Sequence, residues 1–401
     1  MVKPVILDMV TIDRPRIVYV TYTVPWNPRY GGAIRCRGII EGLAEQSDLH
    51  VAFAGSTPSD IETFLKLPVP NNITRHVLLP NPGWEGVDDW KGSRTINAYV
   101  GLGMYRRSFI NLIKVIKPDL NWYFEVESVR RTAVLRGVPT VLDYCDLRSR
   151  KQMRQSRYEA GLKQVAGIAK AMLLHLDDVL IATRFTRSVV ASPDEIGLLW
   201  PMRNVTVLPN GYYFPSSPPP ISAGCQRLLF YGSLFYKPNK DGVRWLCREV
   251  WPLIIDQMPE AQLDIAGLGG EDMSELSNIP GVNVLGFVDD LDPLIRQSAA
   301  LVVPLRVGGG TRIKILEAWA KGLPVVSTNI GAEGLSIQDG KTGLIGDTTE
   351  EFAGQCISIL QNATIRNQLA SAGYEYGHQN FSWEIIQEQL QAICKSIFRP
   401  D

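Results

Sequence analysis

Residues 304–328, PLRVGGGTRIKILEAWAKGLPVVST, combine the residue types and spacing best suited to chemistry. An apolar run, 300–303, leads into Gly308, Gly309 and Gly310. A helix is predicted from about Thr311, with Glu317 two turns in, ending at Lys321-Gly322, and a second strand follows at 324–327. Glycines at a strand end let a ligand approach the backbone closely. The first N–H groups of the helix behind them lack partners and lie at its positive end. That arrangement suits a phosphate, and a carboxylate two turns further on suits sugar hydroxyls. The element reads as a grip for a nucleotide sugar, although a glycine-rich turn of any α/β domain has a similar pattern.

The elements that must position this grip alternate along the chain. RIVYVTY (16–22) is a predicted strand. The turn-rich PWNPRYGG, a helix over 33–46 and the strand LHVAFA (49–54) follow, with Gly31-Gly32 at the strand-to-helix junction. Strands are predicted at 75–79, 120–124, 139–143, 178–182 and 205–208, and helices near 94–116, 127–136 and 149–176. The stretch 209–224 is crowded with Pro, Ser and Gly and reads as a linker. Strands then recur at 227–232, 262–267 and 282–286, with helices near 240–256, after Asp290, and over 349–360, 363–376 and 382–397. Strands separated by helices imply parallel sheets covered on both faces. The expected organisation is an N-terminal domain over 1–210, a linker over 211–226, a C-terminal domain over 227–380 and a final helix, 381–401, crossing back. A cleft between two such domains is where a ligand would sit.

A chain of 401 residues suits two domains. Formal net charge is zero, and no nucleic acid is expected as a partner. Basic residues outnumber acidic ones by seven in 1–215, and the reverse holds in 216–401, so the halves suit different partners. The six cysteines lie far apart with no CxxC or Cys/His cluster, which argues against a zinc site and a disulfide framework. No secretory leader or membrane span is read from the sequence. A cytoplasmic protein is expected, with the inner face of the cell membrane as one location.

The C-terminal half resembles the retaining, family 4-like GT-B glycosyltransferases, the glycosyl transferases group 1. It does so through FYGSLFYKPNKDG (230–242), LDIAG (263–267), LGFVDDL (285–291), residues 304–328, GAEGL (331–335), DGKTG (339–343) and FSWE (381–384). The N-terminal half is similar through YGGAIR (30–35) and GVPTVLDYCD (137–146). The resemblance implies two Rossmann-like α/β domains and a nucleotide-sugar donor, which is a substrate and not a cofactor. It also implies transfer without a metal to a saccharide or lipid-linked acceptor bound by the N-terminal domain. Backbone N–H groups of Thr311, Arg312 and Ile313, beside Gly309 and Gly310, would hold the diphosphate. Glu317 would take the ribose hydroxyls, Phe287 and Val288 would meet the base, and Gly31-Gly32 would close on the phosphates from the other side.

Three departures from the family pattern shape the chemistry. Position 309 is Gly where many members carry the first of two glutamates. Ser233 and Asn239 stand where many carry a basic residue and a lysine, so Arg312, Lys237 and Lys240 are the candidates to meet phosphate charge. Cys145-Asp146 stands where many carry a histidine, so Asp143 and Asp146 are weighed as groups acting on the acceptor hydroxyl. Asp146 equally fits an N-cap. Arg312 presents a fork that matches phosphate oxygens and can stabilise a departing diphosphate. Together with Arg306 it would also suit a donor carrying a carboxylate, such as a hexuronic acid.

Other signals are weaker. Asp290-Leu291-Asp292 reads as a cap and not a metal site, and GLGG (267–270) lacks the full dinucleotide fingerprint. His50, His76 and His378 read as structural. Residues 147–170 hold seven Lys/Arg and one acid, which suits either a solvated helix face or an anionic lipid surface. The expected function is transfer of a hexosyl group from a UDP-sugar, or next a GDP-sugar, in polysaccharide or glycoconjugate assembly. An acceptor-independent epimerase or hydrolase, and a non-catalytic nucleotide-sugar scaffold, are the alternatives.

Overall fold

The computed structural model describes residues 14–26, 31–55, 57–82, 103–157, 159–218, 226–308 and 310–398. The early part of the predicted helix at 94–116, part of the linker (219–225) and Gly309 lie outside them.

Among the described residues, thirteen strands form two sheets. The first contains β1 (Arg16–Thr21), β2 (Asp48–Phe53), β3 (Ile73–Val77), β4 (Leu120–Phe124), β5 (Thr140–Tyr144), β6 (Arg187–Val190) and β7 (Val205–Val207), ordered β3-β2-β1-β4-β5-β6-β7. The second contains β8 (Arg227–Tyr231), β9 (Gln262–Ala266), β10 (Val282–Gly286), β11 (Ala300–Val303), β12 (Val325–Ser327) and β13 (Leu344–Ile345), ordered β10-β9-β8-β11-β12-β13. Neighbouring strands run parallel, for example Val18 beside His50 and Leu301 beside Val325. All five residues of β4 and of β5 are buried, as strands covered on both faces must be.

The helices of the first half are α1 (Gly31–Gln46), α2 (Pro58–Lys66), α3 (Arg106–Ile116), α4 (Glu125–Arg131), α5 (Arg148–Ser156) and α6 (Leu162–Ala182). Those of the second are α7 (Lys237–Trp245), α8 (Trp251–Gln257), α9 (Asp292–Arg296), α10 (Ile313–Ala320), α11 (Thr349–Gln361), α12 (Ala363–Phe381) and α13 (Trp383–Phe398). Two compact units result: Met1–Asp143 with Phe185–Arg187 and Leu390–Asp401, and Tyr144–Arg184 with Ser188–Gln389.

The predicted strand at 178–182 is helical. Its apolar run continues α6, where Asp178 is buried and accepts hydrogen bonds from Arg148 and from the Ser149 N–H. The strand of this region is β6 instead. The single helix predicted over 149–176 is broken into α5 and α6, with Gly161 at φ +59° between them.

In the larger unit, alternate residues of β8 serve two cores. Leu228 and Phe230 pack with Trp251, Leu263, Val302 and Phe352, whereas Leu229 and Tyr231 pack with Leu301, Val303, Ile315 and Trp319. Because α10 buries Ile315, Leu316, Ala318 and Trp319 in the second core, its remaining face carries Lys314 and Glu317 along the end of β8.

Candidate functional site

The glycine loop leaves β11 and enters α10 at Ile313, with Arg312 in the N-cap position and no side-chain cap. The helix therefore begins two residues later than predicted. Of the three N–H groups assigned to the diphosphate, that of Ile313 donates to Thr311 O at 3.1 Å. The Thr311 hydroxyl is buried without a partner among the described residues.

The loop needs glycine for reasons visible in its neighbours. At Gly310, φ is +76°, and a Cβ there would collide with the Asp146 carboxylate. At Gly308, a Cβ would come within 2.5 Å of Arg312 Nη2. The structure thus brings Asp146, Arg312 and the loop together. Asp146 is not the N-cap of α5, a position taken by Leu147 without a side-chain bond.

Cations converge on this loop. Arg312 is buried, and burial lowers its pKa against the opposing pull of Tyr236, Asp146 and Glu333. Such a cation is stabilised by an arriving anion. Arg154, on α5, donates to Gly308 O and to Glu333, which also accepts from Arg150. Burial alone would raise the Glu333 pKa, but Arg154 and Arg150 hold it below the ordinary value.

Lys314, which the sequence reading did not single out, occupies the other side. Its Nζ donates to Tyr231 O at 2.7 Å and lies 4.6 Å from the Phe230 ring centroid. A Cβ on Gly232 would be 2.7 Å from Lys314 Nζ and 3.0 Å from Asn239 Nδ2. The ammonium therefore stands beside Asn239, the position where the family carries its lysine. Among the described residues no carboxylate lies within 4 Å of it. Burial, followed by Arg312, lowers its pKa to about 7.

Glu317 is held in place by the Tyr231 hydroxyl at 3.1 Å and Lys321 Nζ at 3.3 Å. Asn239 donates to Ser233 O at 2.8 Å, pinning the turn after β8. Phe287, past the end of β10, is half exposed, whereas Val288 packs on the second core. A pocket of about 490 Å³ lies beside Gly308. Lys151, Arg154, Phe235, Tyr236, Lys237 and Asp241 are among the residues lining it.

Other candidates are committed elsewhere. Lys240 pairs with Asp272 at 3.2 Å. Arg306 pairs with both Asp241 oxygens, at 3.0 and 3.2 Å, and stacks on Trp245. Asp290 caps the Asp292 N–H, and Asp292 pairs with Lys321. The described residues contain no group of three or more metal-ligating side chains. Arg148, Arg150 and Arg154 of the basic run are turned to carboxylates.

In the smaller unit, Gly31 and Gly32 open α1. Asp143 is fully buried and accepts three hydrogen bonds from Arg35, which is equally buried. That geometry gives Asp143 an internal ion pair and no solvent-facing oxygen. Burial raises its pKa and Arg35 pulls it back. His50 Nδ1 and His76 Nε2 lie 3.0 Å apart, so these two histidines partner each other.

Residues 225–362 match the family model for glycosyl transferases group 1. The chain is 28% identical over 203 residues to a phosphatidyl-myo-inositol mannosyltransferase of Mycobacterium leprae, covering 47% of this chain and 53% of that protein. It spans about half the length of the curated relatives it matches. Among solved structures it is similar to sucrose-phosphate synthase from Thermosynechococcus elongatus, with a TM-score of 0.72 and 17% identity over 96% of this chain and 99% of that one. It is also similar to Anabaena Alr3699/HepE in complex with UDP and glucose, with a TM-score of 0.64 and 16% identity over 95% and 100% of the two chains. The two parallel sheets are those of GT-B glycosyltransferase structures.

Proposed function

We propose that this chain, which belongs to the glycosyl transferases group 1 through residues 225–362 and has the GT-B fold, is a retaining hexosyltransferase. It takes the sugar of a nucleotide-diphosphate donor and passes it to a saccharide or lipid-linked acceptor in polysaccharide or glycoconjugate assembly. The observation that carries this reading is the pair Arg312 and Lys314 flanking the glycine loop, with Glu317 held in place about one turn into the helix behind it.

Breaking the bond between sugar and diphosphate leaves charge on the departing phosphate. Preorganised cations and N–H groups aimed at that charge lower the barrier. Arg312 offers a planar fork and Lys314 a point charge. Both are dehydrated before the donor arrives, so little reorganisation is needed. No metal is required in this reading. Tyr231 and Lys321 fix Glu317 to receive the ribose hydroxyls, and the exposed Phe287 ring is available to the base. Asp146, against Gly310, is the group assigned to orient the acceptor hydroxyl. Asp143 supports β5 from inside.

UDP is the preferred nucleotide, supported by the UDP complex of the similar Anabaena protein. A hexuronic acid donor drew on two arginines. With Arg306 spent on Asp241, a neutral hexose is the donor placed first.

The test is turnover of UDP-sugars with and without saccharide acceptors. Glu317→Ala should cut acceptor-dependent transfer by about a hundredfold, the scale of losing a preorganised polar contact. Unchanged transfer in that variant would refute the assignment. UDP release at an equal rate without acceptor would favour the hydrolase.

A further inference from the structure

Helix α6 presents apolar side chains on two opposite faces. One face, with Gly167, Ala171, Ile181 and Ala182, is buried. On the other, Leu162, Val165, Met172, Leu173, Leu176 and Leu180 are between 55% and 88% exposed. At 3.6 residues per turn these six fall within an arc of about 100° and run for about 27 Å along the helix. Contiguous exposed apolar stripes of this kind mark interaction surfaces.

Within residues 148–182 the exposed charges have one sign. Lys151, Arg157, Lys163 and Lys170 are the exposed charged side chains described between 148 and 182. The acids of that stretch are withdrawn: Glu159 is half-buried, and Asp177 and Asp178 pair with Arg148. Of the basic run, Arg148, Arg150 and Arg154 are thus spent on internal carboxylates, whereas Lys163 and Lys170 stand exposed on α6 itself. Lys163 and Lys170 stand on the same flank of it, since seven residues are close to two turns.

We propose that this face of α6 docks the chain on an anionic lipid surface. The apolar stripe enters the boundary between headgroups and acyl chains, and Lys163 and Lys170 meet the lipid phosphates. Apolar burial and lysine attraction to anionic headgroups add in this geometry, and long lysine stems reach the headgroups while lying along apolar surface. A second copy of the chain fits less well, because a face whose exposed charges are all cations sets like against like. The surface is built without any donor-site residue, so it stands or falls separately from the transferase reading.

The test is co-sedimentation of the full chain with vesicles of phosphatidylcholine alone and of phosphatidylcholine mixed with phosphatidylglycerol. Binding to the mixed vesicles, weakened by added salt, is expected. Leu173→Asn with Leu176→Asn should weaken it about tenfold or more, consistent with removing two apolar anchors. Lys163→Gln with Lys170→Gln should erase the preference for the anionic lipid. Melting curves followed by circular dichroism show whether each variant folds as the parent does. The proposal is overturned if the parent ignores both vesicles, or if the leucine variant binds as well as the parent. It is equally overturned if the parent is a dimer that the leucine variant dissociates while neither binds vesicles, which would give this face to a second copy.

Discussion

Lys314 Nζ donates to the carbonyl oxygen of Tyr231 at 2.7 Å, so an ammonium from the first turn of α10 closes the end of β8. Every other charge that faces it bears on its titration: Arg312 opposes its proton and Glu317 favours it, while burial outweighs both and lowers the pKa to about 7. Below pH 7 folded and unfolded chains both hold the proton. Between about 7 and the ordinary 10.5 the unfolded chain holds it and the folded chain does not, so this group adds stability as pH rises through that window. Lys314→Met should abolish that rise. The check is the difference in unfolding free energy between parent and variant across the window. The same variant should bind nucleoside diphosphates about ten- to a hundredfold more weakly, as loss of a charged hydrogen bond implies. Parent affinity should itself fall above pH 7.

Gly310 offers a second test, because its φ of +76° and its contact with Asp146 both exclude a side chain. Gly310→Ala should cost about 1–3 kcal/mol of stability, the usual scale of backbone strain. It should also displace the Asp146 carboxylate and reduce transfer. Denaturant melts measure the first effect and turnover the second. An alanine variant as stable and active as the parent would remove the loop's need for glycine here.

Asp143 and Arg35 are both fully buried. Asp143→Asn should destabilise by about 3–5 kcal/mol, because it strands a buried guanidinium. Arg35→Met combined with Asp143→Leu should recover much of that loss. Recovery of transfer along with stability would confine Asp143 to a structural role. Persistent inactivity in a well-folded double variant would return it to the acceptor chemistry.

Much of the second sheet was legible because its strands are short apolar runs between glycines. Glu317 was expected on the helix behind the glycine loop, and it lies there, about one turn in, since the helix begins at Ile313. Residues 178–182 were not legible: DVLIA suits either element, and the choice depends on Asp178 meeting Arg148 and Ser149 across α5. Arg154 and Glu333 are 179 residues apart, so no local pattern could pair them. Lys314 left a faint signal. Asn239 stood in place of a lysine, and Lys314, in the first turn of the helix behind the loop, is a cation close to that position. Its direction, however, depends on which face of α10 the second core buries.

The central claim is that the glycine loop holds a nucleoside diphosphate between Arg312 and Lys314. Its most direct test is the melting temperature of the parent and of Arg312→Ala with Lys314→Met, each with UDP, GDP and their sugars. Ligand at a hundred times its dissociation constant adds about 2.7 kcal/mol to the native state. The parent should therefore melt several degrees higher with at least one of these ligands, and the double variant should show little or no shift. A parent indifferent to all of them, or a double variant that shifts as far as the parent, would contradict the account.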